Sequence, residues 1–242
     1  MKLYLYCLID DDVSVETVIF TGPREGISGS LVTFYWVDDF GLLVSDFAGA
    51  SVPVTRENVL QHAAVVSGLL PETTPLPFRF GTLATAEELE SLLNARSKAL
   101  RDKQAFVRGC VEMSVKIIWD RDWNEEPQVE ETSKPGTAFL AEKRRELIGS
   151  EARAAEAKRI ARWLEDRLGD AVREKSLKTD FTSKLLVTAA HLVPRDSIDE
   201  YRTRLKNAQL ERPELHFLTS GPWPPYSFAN IDLEFKTQFG VS

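Results

Sequence analysis

The sequence predicts an α+β protein of two domains, and three features of the chain lead to this fold class. Residues 107–119 alternate apolar and polar side chains, which is the period of a half-buried β-strand. Residues 136–174 contain no proline and are rich in Ala, Glu, Lys and Arg, which favours one long helix or a helical hairpin broken near Gly149 and Ser150. Between them, residues 120–135 are acidic, poor in apolar side chains and interrupted by proline, as in an exposed linker.

The predicted first domain, residues 1–120, carries its elements in the order β-β-β-α-β-α-β. The expected strands are 3–9, 30–37, 42–47, 76–84 and 107–119, and the expected helices are 55–70 and 85–104. Thr55 is the candidate N-cap of the first helix, and Thr85 with Glu88 has capping-box spacing for the second. The side chains expected to face the hairpin from the first helix are Val59, Leu60, Ala63, Val66 and Leu70. This order resembles a modified ferredoxin-like sandwich with an added strand.

The predicted second half consists of a linker at 121–135, a domain at 136–225 and a tail at 226–242. Its long helix repeats apolar residues every seven positions, at Leu140, Leu147, Ala154, Ala161 and Leu168. Strands are expected at 176–181, 184–193 and 215–220, with a further helix over 194–207. We therefore expect a coiled-coil-like long helix joined to a second small α+β sandwich.

The narrow apolar stripe of the long helix has two possible partners. Another chain could fill the stripe in a coiled coil, or the helix could pack on the protein's own sheet. Ile160 and Trp163 widen the stripe, which favours packing on the protein's own sheet.

Composition excludes several classes of protein. A hydrophobic fraction of 43% with 28% charged residues is ordinary for a globular chain that buries a core. The longest apolar stretches are far shorter than a membrane-spanning helix requires, so we expect no membrane partner. A net charge of −7 disfavours nucleic-acid binding. Two cysteines, Cys7 and Cys110, lie inside apolar runs and are expected to be buried free thiols in a reducing cytoplasm.

No catalytic or cofactor motif emerges from the sequence. The three histidines, His62, His191 and His216, lack neighbours at metal-ligand spacing, and the hydrolase, zinc and redox motifs are missing. Residues 22–29, rich in glycine, lack the G-K-[ST] ending of a phosphate loop and are expected to be a mobile connection between strands. We therefore expect no enzymatic activity, no metal and no cofactor.

Two segments contain candidate partner-binding residues. In PFRFG, Arg79 lies between aromatic residues, where a guanidinium can stack or hold a carboxylate, although a structural ion pair is favoured; Phe80 follows it. In GPWPPYSF (221–228), three prolines hold an extended path that presents Trp223, Tyr226 and Phe228. This aromatic strip is either a docking surface or, as we favour, a segment that folds back to close the domain interface.

Five segments in chain order resemble the gas vesicle protein F/L family. They are LYLYCLI, LPFRFGTLA, RGCVEMSVKI, GTAFLAEKRRE and GPWPPYSF, and LPFRFGT and GPWPPYSF are the most specific. The resemblance implies an N-terminal modified ferredoxin-like domain and a C-terminal domain with a long helix and a second α+β unit. It also implies an accessory or minor structural role in gas vesicle assembly, in the cytoplasm and at the gas vesicle. The implied partners are the hydrophobic major shell protein and other gas vesicle accessory proteins.

A rival function stays open at this stage. A cleft between the two domains, around His62, Arg79 and Tyr226, could bind a small molecule or support catalysis, because ferredoxin-like domains carry many functions.

Overall fold

Mixed α+β architecture is confirmed, with two sheets and four helices among the described residues. The computed structural model describes residues 1–9, 19–119, 135–178 and 185–229, and only the backbone of residues 119, 135–150, 178 and 185. The chain divides into two compact units. Unit one comprises residues 1–112 together with 221–242, and unit two comprises residues 113–220.

The sheet of unit one has the strand order β2-β3-β1-β4, and β5 also pairs with β1. Its strands are β1 (Lys2–Leu8), β2 (Val32–Val37), β3 (Phe40–Phe47), β4 (Leu76–Pro77) and β5 (Leu83–Ala84). β1 pairs antiparallel with β3, and a register shift between Leu5 and Cys7 leaves Tyr6 as an extra residue in β1. Because β1 is central, Tyr4, Tyr6 and Cys7 are fully buried.

Two helices of unit one begin at the predicted caps. In α1 (Arg56–Ser67) the Thr55 hydroxyl accepts the backbone N–H of Asn58 at 3.2 Å. In α2 (Ala86–Val107) Thr85 and Glu88 form the complete capping box. Each cap provides a partner for backbone N–H groups that lack one within the helix. α2 is tied to β1 by Gln104, whose Nε2 donates to the carbonyl of Ile9 at 2.6 Å.

The predicted inner face of α1 is wrong at two positions. Val59 and Leu60 are exposed, at 41% and 57%, whereas His62, Val65 and Val66 are buried. The prediction used aliphatic residues only, so it could not place the polar residue His62 on the buried face of α1. As a result, the predicted buried face lies at a different angle around the helix axis from the observed one.

The glycine-rich loop at 22–29 is packed against the core and is not the mobile connection expected from its composition. The backbone N–H of Ile27 donates to the Tyr6 hydroxyl at 2.8 Å. A Cβ at Gly26 would lie 2.0 Å from that hydroxyl, and a Cβ at Gly68 would lie 2.4 Å from the backbone of Gly22. Glycine is therefore needed at both places for close approach of the chain.

The sheet of unit two has the order β7-β8-β6-β9. Its elements in chain order are β6 (Cys110–Trp119), α3 (Pro135–Leu168), β7 (Glu174–Lys178), β8 (Leu185–Pro194), α4 (Ile198–Glu211) and β9 (Leu215–Trp223). β7 and β8 pair antiparallel, from Glu174 opposite Leu192 to Lys178 opposite Thr188. β9 continues three residues beyond its predicted end at Ser220. The predicted strand ends within 179–184, and the predicted linker and tail beyond 229, lie outside the described residues.

α3 is one continuous helix, so the alternative of a break near Gly149 is wrong. It ends at Leu168, six residues before the predicted end, because Gly169 takes a φ of +52°. Arg204 of α4 donates to the Leu168 carbonyl at 2.6 Å and pairs with Asp170 at 2.7 Å. The C-terminal part of α3 packs on β8 and α4, burying Ile160 and Leu164. Packing on the protein's own sheet is thus confirmed for this part of the helix.

Candidate partner-binding site

An aromatic cluster surrounds His62 in the core of unit one. The His62 ring stacks on Tyr6 with centroids 5.6 Å apart and meets Phe80 edge-on at 5.9 Å. Tyr226 lies 6.4 Å from the His62 ring, and Nδ1 of His62 is 2.8 Å from the Tyr4 hydroxyl. The cluster brings together two of the predicted partner-binding residues, Phe80 and Tyr226, around one buried imidazole.

The hydrogen bonds of Tyr4 determine the tautomer of His62. The backbone N–H of Gly81 donates to the Tyr4 oxygen at 3.3 Å, so the Tyr4 proton is available for Nδ1 of His62. The remaining imidazole proton is then on Nε2, which has no partner in good hydrogen-bond geometry among the described residues, although the Phe78 carbonyl lies nearby. The His62 imidazole is therefore neutral in this environment.

Burial sets the protonation of the cluster. Desolvation lowers the pKa of His62 to about 4, although the nearby Phe78 carbonyl partly opposes this change. Burial raises the pKa of the Tyr4 phenol, and it does the same to Tyr226, where the neighbouring Cys7 and Glu112 add to the effect. All three groups are uncharged near neutral pH, as expected for core residues.

The segment 221–229 is held to unit one by a carboxylate. Glu112 is buried, and its two oxygens accept the backbone N–H of Ser227 at 2.7 Å and the Ser227 hydroxyl at 2.9 Å. Pro224, Pro225 and Phe228 are buried beside this contact. Most of GPWPPYSF therefore packs into unit one, which leaves one aromatic ring of the segment largely accessible.

The five predicted partner-binding residues differ in their access to solvent. Trp223 is 43% exposed and Arg79 is exposed, whereas Phe80 and Tyr226 are half-buried and Phe228 is 7% exposed. Within the described residues the Arg79 guanidinium makes no ion pair, hydrogen bond or ring contact, so the favoured structural ion pair is not found there. Among the described residues, Arg79 makes no hydrogen bond or ring contact with His62 or Tyr226.

A surface that sequence reasoning missed lies on α1. Val54, two residues before α1, and Val59 and Leu60 within α1 are exposed, at 62%, 41% and 57%, and we call these three residues the α1 patch. The inner side of α1 is fixed by Val65, Val66 and His62, so the α1 patch is carried on an anchored helix. The sequence did contain a signal for the real buried face of α1, because His62, Val65 and Val66 follow helical spacing. Using that signal would have required accepting a histidine as a core residue.

Unit two contains a tyrosine–histidine pair of the same kind. Nδ1 of His191 lies 2.8 Å from the Tyr201 hydroxyl, and both side chains are buried. Desolvation lowers the pKa of His191 to about 4, with the positive charge of Lys175 as a smaller cause. Cys7 and Cys110 are both buried and are not joined in a disulfide, as predicted.

Neither a metal site nor a membrane span is found in the described part of the chain. No cluster of three or more His, Cys, Asp or Glu side chains with metal-binding arrangement occurs among these residues. The helices that the structure describes lack the length and apolar character needed to cross a membrane.

Fold and site together define an α+β protein of two units with aromatic cores and exposed apolar side chains on anchored elements. The family model described as "Gas vesicle synthesis protein GvpL/GvpF" matches residues 2–230, and the chain belongs to this family.

Relatives with curated names agree with this membership. The chain is 26% identical over 246 residues to gas vesicle protein F1 of Halobacterium salinarum, covering 99% of this chain and 98% of that protein. It is 27% identical over 261 residues to gas vesicle protein L1 of the same organism, covering 93% and 89%. Similarity to F and L proteins alike supports a role in gas vesicle formation.

Two crystal structures share the fold. The gas vesicle protein GvpF from Anabaena sp. PCC7120 aligns with a TM-score of 0.77 at 23% identity, covering 96% of this chain and 97% of that one. GvpF from Microcystis aeruginosa aligns with a TM-score of 0.72 at 21% identity, covering 95% and 99%. The α+β arrangement is thus common to these proteins over nearly their whole length.

Proposed function

We propose that this protein is an accessory or minor structural protein of gas vesicle assembly that binds the hydrophobic major shell protein and limits its aggregation during nucleation. It acts in the cytoplasm and at the gas vesicle, together with other gas vesicle accessory proteins. Family membership supports the role in gas vesicle formation. The observation that carries the proposed mechanism is the α1 patch, Val54, Val59 and Leu60, on the surface of unit one.

The α1 patch has the properties that a temporary cover for an apolar protein requires. Burying one aliphatic side chain of this size contributes about 1.5–3 kcal/mol, and part of that gain offsets the entropy lost on association. Three such side chains therefore support reversible binding. The helix under them is already packed on the core, so little further ordering is needed when the partner binds.

The residues predicted from the sequence provide a second candidate contact in the proposal. Trp223 offers an exposed indole, and Arg79 offers a guanidinium without a partner among the described residues. Phe80, Tyr226 and Phe228 support this surface from beneath through the aromatic cluster and the Glu112 contact. Aromatic and arginine side chains commonly contribute most of the binding energy of an interface.

We also propose a finer description of the fold. The order β-α-β-β-α-β of unit two, with its sheet order β7-β8-β6-β9, supports a ferredoxin-like arrangement, and unit one supports a modified version of it. The N-terminal part of α3 is proposed to act as a coiled-coil-like arm. The domain boundaries, 1–120, a linker at 121–135, 136–225 and a tail at 226–242, stay a prediction, which separate expression of residues 1–120 tests.

Co-expression with the major shell protein tests the proposed mechanism. We expect the shell protein to co-purify with this protein and to remain in the supernatant after centrifugation. Val59→Ser with Leu60→Ser removes most of the α1 patch without touching the core, so binding is expected to weaken while the melting temperature stays unchanged.

A matched control uses another exposed leucine. Leu210 in α4 is 73% exposed, and Leu210→Ser is expected to leave co-purification unchanged. If the shell protein is equally insoluble with and without this protein, the shielding mechanism is wrong. If Val59→Ser with Leu60→Ser binds as strongly as the unmodified chain, the α1 patch is not the contact surface.

A further inference from the structure

A groove of about 200 Å³ lies in unit two, between the C-terminal half of α3 and the strands β7 and β8. Ala157 and Ala161 face it from the helix, and Leu177, Leu186 and Val187 face it from the strands. The two alanines are small, so they leave space beside the sheet, whereas the neighbouring Ile160 and Leu164 fill the core. The floor of the groove is therefore almost entirely apolar.

Positive charge lines the rim of this groove. Lys158 and Arg162 are exposed and stand one helical turn apart, and neither has an ion-pair partner among the described residues. On the opposite side, Lys175 forms an ion pair with Glu165. Three cations and one carboxylate thus surround an apolar floor, on a chain whose net charge is −7.

The size of the groove limits what can occupy it. An apolar cavity of about 150 Å³ accommodates benzene, whereas sites for drug-sized ligands run from about 300 to 1,000 Å³. A groove of about 200 Å³ therefore suits one ring-sized or leucine-sized side chain. It is too small for most of a cofactor or an extended acyl chain.

We propose that this groove binds an acidic peptide segment of a partner protein. The segment inserts one phenylalanine-sized or leucine-sized side chain over Ala157 and Ala161 and places carboxylates beside Lys158 and Arg162. The lysine and the arginine determine which partner is selected, and the apolar floor holds the anchor residue. This inference concerns unit two and does not depend on the α1 patch or on binding of the major shell protein.

Charge complementarity favours an acidic peptide over a nucleic acid. Recognition of a phosphate backbone uses a wide basic surface. Here an apolar groove is flanked by only two cations, Lys158 and Arg162, that lack an ion-pair partner in the described part of the chain. A peptide with an apolar anchor side chain flanked by carboxylates can pack on the apolar floor and pair with the cations of the rim at the same time.

Fluorescence anisotropy with a labelled peptide tests the inference. The probe carries one phenylalanine flanked on each side by two glutamates, and the intact protein is titrated into it. We expect saturable binding that weakens as salt is added, because rim charges are screened. A peptide with serine in place of phenylalanine and one with lysine in place of each glutamate are expected not to bind.

Charge-reversed variants identify the groove as the binding site. Lys158→Glu with Arg162→Glu is expected to weaken binding by about tenfold or more. The matched control, Arg202→Glu with Lys206→Glu on the exposed face of α4, makes the same charge change in the same unit and is expected to have little effect. Leu177→Ser, at a half-exposed position, removes part of the floor and is expected to weaken binding without unfolding the protein, as checked by circular dichroism.

Four outcomes overturn the inference. The first is no saturable binding, and the second is binding that both charge-reversed variants lose equally. The third is binding that appears only after Trp123→Ser, which replaces the one aromatic residue of the acidic segment 120–135 and would identify that segment of this chain as the occupant. A further outcome is that the protein does not bind the peptide but self-associates, and that Lys158→Glu with Arg162→Glu abolishes the self-association. That result would assign the groove to a second copy of the chain.

Discussion

Tyr4 and His62 are joined by a buried hydrogen bond of 2.8 Å, and Tyr201 and His191 repeat this bond at the same length in unit two. In each pair the imidazole is fully buried and its Nδ1 contacts the phenolic oxygen. A buried polar ring is tolerated only when it is hydrogen-bonded, so each tyrosine fixes the position of its histidine, while burial keeps the imidazole neutral.

Tyr4→Phe is expected to lower the free energy of unfolding by about 1–3 kcal/mol, because Nδ1 of His62 is then buried without a donor. Tyr201→Phe is expected to have a similar effect through His191. Urea titration followed by circular dichroism measures both. Tyr35→Phe, at a half-buried position in β2, is the control and is expected to change stability by less than about 0.5 kcal/mol. Equal stability of all three variants would contradict a structural role for the pairs.

Stability is expected to fall as the pH is lowered from about 6.5 to about 4. Burial lowers the pKa of His62 and of His191 from 6.5 to about 4, so in this range the unfolded chain binds protons that the folded chain does not. The stabilisation is complete above the unfolded pKa and is lost as the pH approaches the folded pKa. The difference corresponds to about 3 kcal/mol for each histidine.

Histidine variants separate this effect from the titration of carboxylates. His62→Gln is expected to reduce the pH dependence of the unfolding free energy between pH 6.5 and 4, whatever its effect at neutral pH. His216→Gln, at an exposed position of β9, is the control variant. An identical slope for the unmodified chain and His62→Gln would show that His62 is accessible to protons in the folded protein.

Loss of the Glu112–Ser227 contact is expected to release the segment 221–229. Ser227→Ala removes the hydroxyl donor and should cost about 1 kcal/mol, whereas Glu112→Ala removes the acceptor of both bonds and should cost about 3 kcal/mol. Thermal unfolding gives the stability, and the rate of chymotrypsin cleavage after Tyr226 and Phe228 gives the release. Glu90→Ala, at an exposed position of α2, is the control. Unchanged cleavage in Glu112→Ala would contradict the anchoring role.

Trp223 and Phe228 are expected to have opposite roles within one segment. Phe228 is 7% exposed, so Phe228→Ala should cost about 3–5 kcal/mol of stability. Trp223 is 43% exposed, so Trp223→Ala should cost less stability and should weaken co-purification with the major shell protein. If Trp223→Ala unfolds the protein, the indole closes the core and the docking role is wrong.

Local features of the fold were predictable from the sequence where short-range chemistry decides them. The capping box of Thr85 and Glu88, the cap at Thr55 and the alternating strand β6 each depend on residues a few positions apart. The continuity of α3 through Gly149 was left open, since glycine in a helix costs only about 1 kcal/mol and neighbouring turns compensate for it.

The candidate site was less predictable because distant residues form it. His62 is in the core because Tyr4 supplies a hydrogen bond across 58 positions, and the helical spacing within α1 does not identify this hydrogen-bond partner. Which aromatic ring of GPWPPYSF stays exposed depends on Glu112, which lies 115 positions before Ser227. For this reason Val59 and Leu60 were assigned to the core from the sequence. The sequence also did not indicate that Trp223 is exposed and Phe228 is buried.

The contact between Glu112 and Ser227 has a consequence for the order of events during synthesis on the ribosome. Unit two, residues 113–220, is inserted between the two parts of unit one, so it emerges completely before Ser227 does. Until then Glu112 is without this partner, and the first 112 residues must wait for their last contact while a second folding unit forms. Because Ser227 is synthesised 115 residues after Glu112, the first part of unit one completes this contact only after all of unit two has been synthesised.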